Sequence, residues 1–156
     1  MKVAILGKFF KSEPSDYITK LISLLKKRKV SVFLEKEYYI QLKELLTENI
    51  NSFTELDKSY DLLISIGGDG TILKAITFVK HLSIPIVGIN SGRLGFLAKI
   101  KIEKIEEAID EIISGNYSIS ERSLIEVVTS EKNNELSKLN FALNEIAVSR
   151  KNTTSM

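Results

Sequence analysis

One stretch of the chain, residues 62–75, most constrains the fold that this sequence can adopt. It passes from an apolar, β-branched segment through a turn of small residues into apolar positions spaced at the period of a helix. The pattern predicts a strand over residues 62–66, a tight turn, and a helix from about Thr71. The turn residues are Gly67, Gly68, Asp69 and Gly70.

A junction of this kind suits the binding of an anion. Glycine has no Cβ atom and lets a ligand approach the backbone, while the first N–H groups of a helix are unpaired and carry partial positive charge. We therefore expect Gly68 and Gly70 to admit a phosphate. Because a carboxylate repels a phosphate, Asp69 needs another purpose, such as accepting a proton from a hydroxyl nucleophile or binding ribose hydroxyls.

The same residues permit a purely structural interpretation. Asp-Gly between apolar segments is also typical of a hairpin turn, and Asp69 or Thr71 could cap a helix. The turn matches neither the P-loop, which needs Gly-Lys-Ser/Thr, nor the dinucleotide-binding fingerprint, which needs a third glycine. Helical spacing after the turn argues against a hairpin, since the apolar positions are Ile72, Leu73, Ile76 and Val79.

Three motifs resemble those of a known family. Residues 67–71 look like the signature of a kinase superfamily that includes NAD kinases, diacylglycerol and sphingosine kinases and, more loosely, phosphofructokinases. Residues 88–97 are similar to the segment that follows the next strand in NAD kinases, and Asn144 and Glu145 stand where those enzymes have an Asn-Glu pair. Together and in this order, the motifs resemble the N-terminal portion of an NAD kinase.

The resemblance implies a role for the residues of the first motif. Asp69 would be the catalytic proton acceptor, and Gly68 and Gly70 would give the ligand close access to the backbone. Lys74 lies one helical turn past Gly70, where it would meet a phosphate; its alternative is an ordinary solvent-facing lysine. No metal-ligating residue is predicted.

The second and third motifs would bind NAD. In NAD kinases the loop over residues 90–96 lines the NAD pocket, so the resemblance implies that Phe96 packs on adenine. Arg93 could meet a phosphate, and the alternative for Phe96 is a place in the core. Asn144 and Glu145 form a polar pair inside a predicted apolar strand, so they are either hydrogen-bonded structural groups or ligand contacts. The resemblance favours ribose binding.

The reaction implied is transfer of a phosphoryl group from ATP, or polyphosphate, to the adenosine ribose 2′-hydroxyl of NAD, which makes NADP. Mg²⁺ would enter with ATP, because no carboxylate cluster is evident. NAD kinases are generally homo-oligomers, and they continue through a further β domain. We therefore expect this chain to be a truncated NAD kinase with weak or no activity as it stands.

Composition limits the alternatives. With 22 basic and 20 acidic residues among 156, the net charge is only +2. The protein therefore has no overall positive field that would attract nucleic acid or an anionic membrane. The chain has no cysteine, which excludes disulfides, thiolate metal sites and a cysteine nucleophile. No signal peptide or apolar run of the ~20 residues in a membrane span is evident. A soluble cytoplasmic protein is predicted.

Strand and helix patterns alternate over residues 1–116, which predicts an α/β domain: a Rossmann-like open parallel sheet with helices on both faces. Residues 49–60 are predicted to be an irregular surface connection. Beyond residue 116 the pattern alternates at period two, so residues 117–156 should begin an all-β domain, with strands within 117–130 and 136–149.

Two other functions fit part of the sequence. A diacylglycerol-type lipid kinase shares the motif at residues 67–71, but residues 90–97 do not match it and no membrane-binding face is evident. A non-catalytic nucleotide-binding module would keep the glycine-rich turn without turnover.

Overall fold

The computed structural model of the protein describes residues 1–8, 16–92, 95–129 and 139–148. The chain divides into two compact units, Met1–Ile119 and Ser120–Met156. The assignment of residues 1–116 and 117–156 to separate domains stays a prediction.

The first unit is built on a six-stranded sheet in the order β3-β2-β1-β4-β5-β6. Every neighbouring pair in it is parallel. The strands are β1 (Lys2–Gly7), β2 (Ser31–Glu35), β3 (Asn51–Phe53), β4 (Leu62–Ile66), β5 (Ile86–Asn90) and β6 (Ile100–Lys101). This is the strand order of a doubly wound nucleotide-binding sheet.

Helices cover both faces of the sheet. They are α1 (Asp16–Lys27), α2 (Lys36–Leu42), α3 (Asp69–Val79) and α4 (Ile105–Ser114), the last preceded by a short 3₁₀ turn, Ile102–Lys104. Side chains of α1, α2 and α4 belong to one apolar core, and side chains of α3 belong to the other. The predicted Rossmann-like fold is therefore confirmed.

The two cores meet at β4, whose five residues are all buried. Successive side chains of a strand point to opposite faces, so this strand, which is apolar except for the buried Ser65, supplies both layers. Ile64 enters the core beneath α1 and α4, and Leu63 enters the core beneath α3. The alternation fixes the register of β4 between β1 and β5.

The strand order places the glycine-rich turn at a special position. From the centre of the sheet, the chain adds strands outward in one direction from β1 through β2 to β3, and in the other direction from β4 through β5 to β6. In sheets of this class, ligands bind outside the carboxyl ends of the strands at the point where the order reverses. Gly67 follows β4 directly, so the turn lies at that point.

The prediction of an irregular connection over residues 49–60 is wrong, because this segment contains β3. Asn51 pairs with Phe33, and the side chain of Phe53 is buried in the core beneath α3. A strand of three residues is too short to show a period, and its existence depends on pairing with β2. The two-residue strand β6 was missed for the same reason.

The second unit contains a small antiparallel sheet of β7 (Ile125–Glu126) and β8 (Phe141–Ala142). The predicted strands within 117–130 and 136–149 are thus much shorter in the described residues. An isolated pair of strands buries little apolar surface and is marginal by itself. Several large apolar side chains of this unit are exposed, among them Ile125, Val128 and Val148.

Within the described ranges, every helix is too short or too polar to cross a bilayer.

Candidate active site

A tight turn follows β4 as predicted, but it is shorter than the predicted turn, because α3 begins at Asp69 and not near Thr71. Only Gly67 and Gly68 separate the strand from α3, which begins at Asp69. The hairpin alternative is therefore wrong. Gly67 has a φ of +146°, and a Cβ atom there would collide with the hydroxyl of Thr71. Its N–H donates to the carbonyl of Ile89 at 2.9 Å, which joins the turn to β5.

Gly68 and Gly70 border open space. Both are exposed, and a Cβ atom at either would have no atom within 4 Å. Gly68 is the N-cap of α3, and no side chain caps this helix, so the capping roles considered for Asp69 and Thr71 are wrong. The start of α3 is thus open on the side where the sequence predicts a phosphate.

The Asp69 carboxylate accepts three successive backbone N–H groups from a distant part of the chain. Oδ2 accepts from Phe96 at 2.8 Å, and Oδ1 accepts from Leu97 at 2.9 Å and from Ala98 at 3.0 Å. These bonds join the first turn of α3 to the segment that leads into β6. The structure therefore brings the first and second motifs together.

These hydrogen bonds stabilise the ionised form of Asp69. The N–H groups of Ala98, Leu97 and Phe96 hold the pKa of its carboxyl below the ordinary value of 3.8, against a smaller opposing effect of burial. Asp69 as a whole residue is half-buried. Asp69 is consequently an anion throughout the neutral pH range and a weak base.

Gly95 makes this contact with Asp69 sterically possible. A Cβ atom on Gly95 would overlap the carboxylate of Asp69. In the sequence, Gly95 is only part of the motif over residues 88–97, and its role against Asp69 was missed. No local signal could reveal it, because the two residues are far apart in the chain.

Phe96 projects from the same segment into solvent. Its side chain is 87% exposed, so the alternative of a core position is wrong. An exposed ring at this place is free to stack on a planar ligand. Contact with adenine stays a prediction. Arg93, the other residue of this loop with a predicted phosphate contact, lies outside the described residues.

Asn90, the last residue of β5, holds the start of this loop. It is 4% exposed, its Oδ1 accepts the N–H of Gly92 at 2.8 Å, and its Nδ2 donates to the carbonyl of Ala98 at 3.3 Å. Sequence reasoning did not include Asn90 in the site. The signal was available, since Asn followed by Ser-Gly is typical of a turn in which the side chain bonds the backbone two residues on.

Lys74 has anionic neighbours. Its Nζ lies 3.1 Å from Oε2 of Glu37 and 3.7 Å from Oε2 of Glu35. Glu35 is 4% exposed and also accepts the N–H of Tyr38, which caps α2. The Lys74 side chain is 41% exposed, which is compatible with the solvent-facing alternative, and its phosphate contact stays a prediction.

Asn144 and Glu145 belong to the second unit. Both are exposed and follow the end of β8, so the prediction that they lie inside an apolar strand is wrong. Among the described residues of this unit, strand pairing stops at Ala142. A common site of Asn144 and Glu145 with Asp69 stays a prediction.

The described residues offer no resident metal site. Across these parts of the chain, no group of three or more His, Cys, Asp or Glu side chains is placed to hold an ion. The donor set therefore does not fit a magnesium ion held by this unit alone.

Residues 3–117 match the model of the ATP-NAD kinase N-terminal domain. The chain belongs to the NAD kinase family. Similar curated relatives are the NAD kinase of Christiangramia forsetii, 44% identical over 164 residues, and that of Flavobacterium psychrophilum, 42% identical over 161 residues. Each alignment covers 100% of this chain and 55% of the relative. The chain thus spans about half the length of these NAD kinases.

A crystal structure of yeast NADH kinase complexed with NADH has a similar fold. It superposes with a TM-score of 0.68 at 19% sequence identity, covering 85% of this chain and 44% of that chain. This likeness supports the α/β architecture.

Proposed function

We propose that this chain is part of an NAD kinase, which transfers a phosphoryl group from ATP or polyphosphate to the adenosine ribose 2′-hydroxyl of NAD. The observation that carries the proposal is the Asp69 carboxylate, which lies at the reversal point of the sheet and bonds the segment of Phe96. A nucleophile-activating group and a candidate base-stacking group are thus linked directly, beside an open helix N-terminus.

The reaction needs a group that accepts the hydroxyl proton. A carboxylate offers about four acceptor directions, and the described hydrogen bonds of Asp69 use two on Oδ1 and one on Oδ2. Oδ2 can therefore accept the ribose hydroxyl while its bond to Phe96 persists. We propose this oxygen as the proton acceptor.

The low basicity of Asp69 is compatible with that role. The hydroxyl oxygen forms a bond to the terminal phosphorus as the bond from that phosphorus to the leaving phosphate oxygen breaks, so ADP leaves when ATP is the donor. In a loose transition state there is little early demand for a strong base, and positioning supplies most of the acceleration. The proton moves to Asp69 late, once the hydroxyl oxygen has become acidic.

Donor phosphates would lie at the start of α3. Gly68 and Gly70 border open space there, and the uncapped helix end favours an anion. Lys74 is the nearest predicted cation along this helix, and a phosphate contact requires its Nζ to move from Glu35 and Glu37. Magnesium would arrive on the nucleotide as Mg-ATP, where it neutralises phosphate charge.

The remaining roles rest on the family resemblance. Phe96 would stack on adenine, and Asn144 and Glu145 would bind the ribose. A homo-oligomeric state is proposed on the same ground, and the cytoplasmic location stays a prediction from the sequence.

An acceptor comparison tests the proposal. The complete protein encoded by the reading frame of this chain is incubated with ATP labelled at the terminal phosphate and, separately, with NAD, NADH, diacylglycerol or sphingosine. We expect label in NADP or NADPH, at the ribose 2′-oxygen by ³¹P NMR. Label in a lipid, or in neither nucleotide while the protein is folded, would contradict the proposal.

A further inference from the structure

We propose that Asp69 and Gly95 form a clamp that positions Phe96 for the nucleotide, so that Asp69 is a positioning residue as well as a proton acceptor. This inference rests on the proposed NAD kinase function for its kinetic consequence. Its structural part, the hold of Asp69 on the segment, is independent of that function.

The first step concerns what fixes the segment. Phe96 is 87% exposed, so packing against the core does not determine where its ring lies. Its backbone N–H and those of the next two residues donate to Asp69 at 2.8, 2.9 and 3.0 Å. Hydrogen bonds to a charged group are stronger than those between neutral groups. The carboxylate therefore fixes the segment at Phe96, together with the bond from Asn90 to the carbonyl of Ala98.

The second step concerns the partner of the carboxylate. Asp69 belongs to α3, whose Ala75 and Val79 are anchored in the core, whereas Gly95 and Phe96 lie between strands. Because a Cβ atom on Gly95 would overlap the carboxylate, a larger residue there must move one side of the contact. Either the carboxylate of Asp69 rotates away or the loop moves, and both changes break the three hydrogen bonds.

The functional consequence is a smaller entropic cost of binding. An exposed aromatic ring whose backbone is already fixed loses less freedom when a base stacks on it than a ring on a loose segment. A clamp of this kind acts on the affinity for NAD more than on the chemical step. Gly95→Ala keeps the Asp69 carboxylate in the protein but breaks its contact with the Phe96 segment, so the effect of lost positioning can be compared with the effect of losing the proton acceptor in Asp69→Asn.

Steady-state kinetics of the complete protein test this separation. For Gly95→Ala we expect the KM for NAD to rise by about tenfold or more, with kcat within about threefold of the parent protein. A merely structural defect would lower the active fraction, and with it kcat, without raising KM. A KM for NAD unchanged in Gly95→Ala would overturn the proposal.

Hydrogen exchange tests the clamp without turnover. NMR-detected exchange of the Phe96, Leu97 and Ala98 amides in the complete protein should accelerate by about tenfold or more in Asp69→Ala and in Gly95→Ala. Gly92→Ala is the matched control, because a Cβ atom at Gly92 meets open space in the same loop, and we expect those amides to keep their protection.

Unchanged exchange in Asp69→Ala would overturn the clamp even if the protein makes NADP. Faster exchange in a folded protein that makes no NADP would support the clamp and reject the proposed function. The two failures are therefore distinguishable.

Discussion

The carboxylate of Asp69 accepts the backbone N–H of Ala98 at 3.0 Å, which joins the start of α3 to the segment entering β6. With the bonds to Phe96 and Leu97, this contact gives one side chain two duties. The residue proposed to accept the hydroxyl proton also holds the residue proposed to contact adenine. Substitution of Asp69 is therefore expected to affect both substrate binding and chemistry.

The first prediction concerns pH. The folded-state pKa of Asp69 lies below its ordinary 3.8, so the stabilisation from its ionisation is present above that value and is lost as pH falls through the folded-state pKa. We expect the amide shifts of Phe96, Leu97 and Ala98 to titrate together with a midpoint below 3.8. The measurement is a pH series of ¹H–¹⁵N spectra. A joint midpoint above 3.8 would contradict the hydrogen bonds from these three amides to Asp69.

The second prediction separates the glycines of the turn. Gly67→Ala should lower the free energy of unfolding by about 1–3 kcal/mol, because its φ of +146° disfavours a side chain and the new Cβ atom would collide with Thr71. Gly70→Ala, in the first turn of α3 and facing open space, should not destabilise. Urea denaturation measures both. Equal losses of unfolding free energy in the two variants would show that the positive φ of Gly67 does not determine its effect on stability.

The Gly70→Ala variant also has a functional outcome. Its methyl group would fill space that we assign to a donor phosphate, so the KM for ATP should rise although stability is kept. An unchanged KM for ATP would place the phosphate elsewhere.

The third prediction concerns the ring of Phe96. Because it is 87% exposed, Phe96→Ala should change the free energy of unfolding by less than about 0.5 kcal/mol. Loss of stacking on adenine should weaken NAD binding by about 1–3 kcal/mol. Phe53→Ala is the matched control: that ring is 6% exposed, and its loss should cost about 3–5 kcal/mol of stability. Calorimetric NAD binding and thermal unfolding give the two readouts, and a Phe96 variant with parental NAD affinity would exclude the adenine contact.

The fourth prediction concerns Lys74. Removing its ammonium group in Lys74→Ala leaves Glu35, whose side chain is only 6% exposed, without this cation. A loss of about 1 kcal/mol in stability is expected, since the lysine side chain itself is 41% exposed and its pairs are partly screened. Glu37→Ala removes the second carboxylate that pairs with Lys74, which is 73% exposed. This change should lower the free energy of unfolding by less than about 0.5 kcal/mol. A larger loss for Glu37→Ala than for Lys74→Ala, by denaturant unfolding, would refute this ranking.

The sequence predicted the elements that have a clear local pattern. The change of period at the glycine-rich turn is local, and β4 and α3 follow from it. Strands β3 and β6 have too few residues to show a period, and they exist because β2 and β5 offer them pairing partners. Such edges of a sheet are determined by tertiary contacts.

The residues of the candidate site were easier to name than their contacts. Asp69 and Phe96 were identified by motif, but the hydrogen bond between them joins parts of the chain that no local pattern relates. The role of Gly95 depends on the space that a distant carboxylate occupies. Asn144 and Glu145 were expected inside a strand because apolar residues follow them, and pairing ends before they begin.

The most direct test of the NAD kinase assignment is the rate of NADP formation from NAD and Mg-ATP by the complete protein, with and without Asp69→Asn. We expect NADP from the parent protein and a kcat lower by about 10²–10⁴-fold in the variant, since asparagine cannot accept the hydroxyl proton. No NADP from folded parent protein, or undiminished turnover in Asp69→Asn, would contradict the account.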